Sequence, residues 1–109
     1  MKIVALPEVR TYLRELSYIL YEKEYFGFED RAQKYVEDLF SDIRMNLPIK
    51  LKKPAPPYFE KYGRNMQYAS FRKNKGTQWY VFFNTYRQDG EIIYLIRYIS
   101  NNHAIAQFL

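Results

Sequence analysis

The chain has 109 residues, 48% of them hydrophobic and 19% aromatic, with no cysteine and a formal net charge of +5. That composition predicts one domain with a real core and excludes a disordered chain, a disulfide scaffold and a cysteine-ligated metal site. The charge is segregated: residues 1–47 carry nine acidic and seven basic side chains, residues 48–109 three acidic and ten basic. A basic C-terminal half points to a polyanionic partner.

The first predicted element is a short strand, Lys2 to Leu6, centred on Ile3 and Val4. The apolar run before Pro7 is too short for a signal peptide, and no stretch approaches the roughly 18 apolar residues of a membrane span. A cytoplasmic protein without a membrane partner is therefore expected. Pro7 suits the first turn of a helix, where its missing N–H costs nothing, and Glu8 follows at the favourable positive end. Val9, Leu13, Leu16, Ile19 and Leu20 then recur at spacings of three and four, which predicts one apolar helical stripe ending near Tyr25 to Gly27. A second helix is predicted from Phe28–Asp30, with Ala32, Val36, Leu39, Phe40 and Ile43 as its stripe and Asn46 to Pro48 as its end. The short connection predicts an antiparallel hairpin. The carboxylates of this hairpin read as solvated helix surface, since no pair of them sits in an apolar setting.

Residues 49–65 form the one long irregular segment. Pro54, Pro56 and Pro57 forbid an ordinary helix or central strand. Lys50, Lys52, Lys53, Lys61 and Arg64 make it basic, while Leu51, Tyr58 and Phe59 offer anchors. Three strands follow: Met66–Lys73, Gln78–Arg87 and Glu91–Ile99. A glycine-containing turn joins the first two, and Gln88-Asp89-Gly90 is a hairpin signal between the last two. The tail, through Ile105 and Phe108, is expected to add a last strand or a docked extension. The fold class read from this order is α+β, β-α-α-β-β-β, with a two-helix hairpin on one face of a mainly antiparallel sheet.

Two strand arginines, Arg72 and Arg97, lack an obvious structural reason. If Lys73 faces Gln78 and Arg87 faces Glu91, then Arg72 opposes Trp79 and Arg97 opposes Val81. Strand alternation then puts both guanidiniums on the Trp79 face, with Tyr80, Tyr86, Tyr94 and Tyr98 on the other, where they read as amphipathic core rim or, alternatively, a base-stacking platform. Such a pair over an aromatic floor can grip a phosphate, stack beside a base or stabilise the charge of a cleavage transition state. The alternative is that they pair with helix carboxylates or a partner protein. Lys73 and Lys75 border the same strands and join the basic set. His103, the sole histidine, is either a general acid–base group or a surface or capping residue. No metal cluster, phosphate-binding glycine loop or serine-hydrolase element is present, so no cofactor or metal is expected.

The order of elements, the basic loop and the segment YASFRKNKGTQWYVFFNTYRQDGEIIYLIRYISNNHAIAQF resemble the RelE/ParE superfamily of bacterial toxins, especially its short plasmid-stabilisation-type members. The resemblance implies a single toxin domain over residues 1–109 in a type II toxin–antitoxin module, neutralised by a cognate antitoxin. It implies either mRNA cleavage on the ribosome, as in the RelE branch, or inhibition of DNA gyrase, as in the ParE branch. A non-catalytic relative that only binds nucleic acid or antitoxin is the third alternative. In the cleaving branch, Arg72 and Arg97 match the sheet arginines, Lys52 and Lys53 fall nearest the lysine contribution, and His103 lies where some members carry a terminal histidine. The terminal tyrosine of that branch has no match, since the chain ends in Phe108 and Leu109.

Overall fold

Pro7 opens the first helix, and the amide of Arg10 donates to the carbonyl of Leu6 at 3.0 Å. The computed structural model describes residues 1–22 and 29–109. In chain order the elements are β1 (Lys2–Ala5), α1 (Pro7–Glu22), α2 (Glu29–Asn46), β2 (Lys53–Pro54), β3 (Gln67–Asn74), β4 (Thr77–Gln88), β5 (Glu91–Asn101) and α3 (Asn102–Ile105). Short 3-10 turns occupy Leu47–Ile49, Pro57–Tyr62 and Ala106–Phe108. The architecture is α+β, as read from the sequence. The expected end of the first helix at Tyr25–Gly27 lies outside the described residues.

The sheet has five strands in the order β1-β5-β4-β3-β2. It is antiparallel except for β1, which runs parallel to β5 with Lys2 facing Ile93 and Ala5 facing Ile96. The basic loop contributes β2, a strand of two residues on the edge, where Pro54 is tolerated. The helices cover one face: Val9, Leu13, Leu16, Val36, Leu39 and Ile43 pack on Phe71, Trp79, Val81, Phe83, Ile96 and Ile99. The other face carries a second cluster, in which Phe59, from the 3-10 turn, and Ile105, from α3, meet Met66 and Phe82. The tail is thus a docked extension rather than a strand. Burying aromatic rings on both faces explains how one sheet absorbs so many of them.

Both registers differ from the sequence expectation by one residue. Asp89 and Gly90 both have positive φ (53° and 77°), so they form a two-residue turn and Gln88, not Arg87, faces Glu91. On the other hairpin Asn74 faces Thr77, and the pairing shifts at Lys73, so that Phe71 faces Trp79 and Arg72 faces Gln78. A second irregularity lies in β5, where Ile96 faces Phe83 and Tyr98 faces Phe82, leaving Arg97 as the extra residue of a β-bulge. Because side chains alternate with period two, these shifts move residues between faces. Arg72 and Arg97 leave the Trp79 face, and Tyr94 joins the helix-side core.

Candidate functional site around Arg97

β1 pairs with β5 only as far as Ile96, where the Leu6 amide makes the last bond. Beyond that point β5 has β4 on one side and, among the described residues, no strand on the other. A cleft of about 500 Å³ opens there, between the start of α1 and the 3-10 turn at Pro57–Tyr62. Leu6, Glu8, Val9 and Tyr12 line one wall, Lys61 and Tyr62 the other, and Arg97, Tyr98, Ile99 and Ser100 the floor. That volume is the size of a small-ligand or single-nucleotide site.

The bulge decides what the cleft contains, since it turns Arg97 and Tyr98 to the same side instead of opposite sides. The Arg97 guanidinium is held by neutral acceptors. Its Nε donates to Asn84 Oδ1 at 2.5 Å, and its Nη2 donates to the Tyr86 hydroxyl at 3.0 Å. Asn84 is braced in turn, its Nδ2 donating to the Arg64 carbonyl at 2.9 Å. Among the described residues no carboxylate pairs with Arg97. Its charge is therefore oriented without being neutralised, and the N–H groups not used by Asn84 and Tyr86 remain for a ligand. Gly63 packs on the same side chain: a Cβ there would stand 2.5 Å from Arg97 Cδ.

Aromatic side chains line the cleft beside the guanidinium. Tyr62 and Tyr98 stack with centroids 3.8 Å apart and planes within 5°. Lys61 Nζ lies 5.4 Å from the Tyr62 ring and 4.0 Å from the Tyr58 ring, which stacks on Phe108 at 3.7 Å. Burial, followed by the neighbouring Tyr98 hydroxyl, pushes the Tyr62 phenol up to about 12. Burial and then Tyr98 also raise Tyr12 above the ordinary phenol value. Both hydroxyls are therefore protonated at neutral pH and act as hydrogen-bond donors. Two cations, protonated phenols and exposed ring edges suit a phosphodiester with its sugar and base.

The other sequence candidates are scattered. Arg72 is exposed on the same sheet face as Arg97, but its Nε donates to the Asn74 carbonyl at 3.2 Å, beside the β3–β4 turn. At about 3.4 Å per residue and about 4.8 Å per strand, the two arginine backbones are roughly 18 Å apart. The expected pair of guanidiniums flanking one site is not assembled. His103 sits at the far end too, exposed, with Nε2 3.2 Å from Thr77 Oγ1. Asn102 holds that end closed by accepting from the Gln78 amide and donating to the Gly76 carbonyl. Trp79 is no stacking platform: it is 1% exposed in the helix-side core, and its Nε1 donates to the Tyr35 hydroxyl at 2.9 Å.

Of the lysines, Lys61 lines the Arg97 cleft, and Arg64 reaches it through its carbonyl bond with Asn84. Lys52 is turned inward, donating to the Pro48 and Lys50 carbonyls at 2.9 Å each and folding its own loop. Lys50 lies 4.9 Å over the Phe71 ring and Lys73 5.0 Å over the Tyr35 ring, both toward the helix side. Lys53 is exposed on β2, and Lys75 is exposed at the β3–β4 turn. Glu8, Tyr12, Tyr62 and Asn84 are not site residues in the sequence reading, and Tyr98, placed there on the face opposite Arg97, shares its side. Nothing local marks Glu8 or Tyr12 as cleft residues: Glu8 reads as a first-turn carboxylate, and Tyr12 is partly buried against the helix-side core.

No protein-family model, curated protein or solved structure matches this chain.

Proposed function

We propose that this chain is the toxin of a type II toxin–antitoxin module and that it acts as a metal-independent mRNA endoribonuclease on the ribosome. The observation that carries the reading is Arg97, an unneutralised guanidinium lifted by a bulge beside Tyr98, Tyr62 and Lys61. The order of helix hairpin and sheet is compatible with a RelE/ParE-like domain, and the segment around the Asp-Gly hairpin carries the resemblance. In this reading the 2′-oxygen of one nucleotide attacks the adjacent phosphorus. The bond from phosphorus to the 5′-oxygen breaks, giving a 2′,3′-cyclic phosphate and a 5′-hydroxyl. Arg97 and Lys61 stabilise the charge developing on the phosphoryl oxygens. Glu8, the carboxylate lining the cleft, accepts the 2′-hydroxyl proton, and a protonated phenol, Tyr62 or Tyr12, supplies a proton to the leaving oxygen. Arg72 and His103 have no part in these steps. A cognate antitoxin neutralises the protein by covering the cleft.

The separation of Arg72 and His103 from Arg97 favours a second reading, a gyrase-inhibiting toxin of the ParE type that uses the same face for binding only. Induced expression with mapping of transcript ends separates the two. Cut ribosome-bound transcripts, with toxicity abolished by Arg97→Ala and retained by Arg72→Ala and His103→Ala, are expected. Intact transcripts with DNA damage that disappears in a gyrase-resistant host would transfer the assignment to the second reading.

A further inference from the structure

The N-terminal half of the chain is acidic in sum, yet the outer surface of the helix hairpin is locally basic. A groove of about 560 Å³ runs between α1 and α2 on that surface. Leu13, Val36 and Phe40 form its floor, and Arg10, Arg14 and Arg44 stand on its rim with a single carboxylate, Glu37. None of the three arginines has a carboxylate partner among the described residues: Arg14 donates to Thr11 Oγ1 at 3.2 Å, and Arg44 lies 5.0 Å over the Phe40 ring. Three guanidiniums against one carboxylate leave the groove an excess of positive charge around an apolar floor.

Helix geometry separates this groove from the Arg97 cleft. At about 100° per residue, Glu8 and Tyr12 lie on one flank of α1, and Arg10 and Arg14 lie roughly 180° away on the other. Val9, Leu13 and Leu16 point between them into the core. A molecule in the groove thus leaves the cleft uncovered. The shape is that of two antiparallel helices awaiting a third, and α1 alone, at about 1.5 Å per residue, offers ~24 Å of length, about four turns.

We propose that the α1–α2 groove is a docking site for an acidic amphipathic helix of a partner protein, bound on the side opposite the Arg97 cleft. Apolar side chains of the partner at positions i, i+3 or i+4 and i+7 cover Leu13, Val36 and Phe40, while flanking Glu or Asp residues meet Arg10, Arg14 and Arg44. The argument for this occupant is charge complementarity, which selects an acidic helix over a neutral or basic one and over nucleic acid, for which the apolar floor has no use. The site is independent of the RNA reading, because none of its residues lines the Arg97 cleft.

The test uses the full, isotopically labelled chain and two synthetic helical peptides with the same apolar stripe, one flanked by Glu and one by Lys. The Glu peptide is expected to bind at least ~10-fold tighter, since the three guanidiniums attract one set of flanking charges and repel the other. Its amide shifts are expected to cluster on residues 10–14 and 36–44. Combined Arg10→Glu, Arg14→Glu and Arg44→Glu substitution should weaken it by a similar factor, with the thermal midpoint and dispersed amide spectrum showing that the fold survives. The surface Glu37→Gln change should strengthen it slightly. Equal binding of both peptides, shifts mapping to Lys61 and Arg97, the same groove shifts with single-stranded RNA, or self-association of the chain through the groove would each overturn the proposal.

Discussion

Gly63→Ala isolates the contact that positions Arg97. The Gly63 backbone has φ of 164°, an extended value open to any residue, so the substitution brings no backbone strain. Its effect comes from space. The new Cβ would stand 2.5 Å from Arg97 Cδ, 3.1 Å from Arg97 Nε and 3.2 Å from Met66 Sδ. Carbon atoms settle at about 3.5–4.0 Å, so the arginine stem must retreat by about 1 Å. That movement pulls Nε from Asn84 and Nη2 from Tyr86, the bonds that aim the guanidinium. Stability should change by no more than about 1 kcal/mol, because alanine restricts the unfolded chain by a comparable amount and a half-exposed arginine can rehydrate. Function is more sensitive: a reacting group displaced by about 1 Å costs on the order of 100-fold in rate, and binding of a single-stranded RNA oligonucleotide should weaken about 10-fold. Fluorescence anisotropy against RNA, run beside a urea melt, reads both quantities. Gly90→Ala is the control: with φ of 77° and nothing within 4 Å, it should lose about 1 kcal/mol of stability and keep its affinity. Undiminished RNA affinity in Gly63→Ala, when Arg97→Ala lacks it, would refute the claim that this glycine places the guanidinium.

Arg97→Ala should lower the slope of log affinity against log salt by about one ion, while Arg72→Ala leaves the RNA affinity nearly unchanged; equal effects of the two would return Arg72 to the site. Phe59, fully buried with its ring 4.4 Å from that of Phe82, anchors the second cluster, and Phe59→Ala should cost about 3–5 kcal/mol in chemical denaturation. A loss below 1 kcal/mol would mean that this turn is not part of the cooperative fold. The Tyr62 phenol, raised from 10.0 to about 12, contributes stability that is complete below pH 10 and lost as pH climbs through 12. Tyr62→Phe should therefore flatten the alkaline limb of the stability curve in that window, and an unchanged limb would show that the phenol is solvated.

The helix stripes were legible because burial on one face of a 3.6-residue repeat leaves a mark in the sequence: Val9, Leu13 and Leu16, then Ala32, Val36, Leu39 and Ile43, are buried as read. Strand positions were legible from aromatic density and the Asp-Gly turn. Pairing was not. Counting Gln88, Asp89 and Gly90 as the loop, where the positive φ pair confines it to the last two, carries Arg97 to the wrong face. The bulge at Arg97 has no local signature, since it depends on Ile96 and Ile99 both reaching the helix-side core while Tyr98 reaches the other cluster. Glu8 and Tyr12 were beyond reach for another reason. They line one cleft with Arg97 because β1 closes in parallel onto β5, from the opposite end of the chain.

The half of β5 that β1 leaves uncovered has a consequence for solubility. A bare strand edge beside aromatic side chains is a template on which another copy can add a strand. Here the extra residue at Arg97 breaks the even spacing of backbone groups at the start of the bare stretch, and a charged side chain stands at the break. The irregularity that aims the guanidinium therefore also spoils the template, protecting this edge from stacking into a fibre.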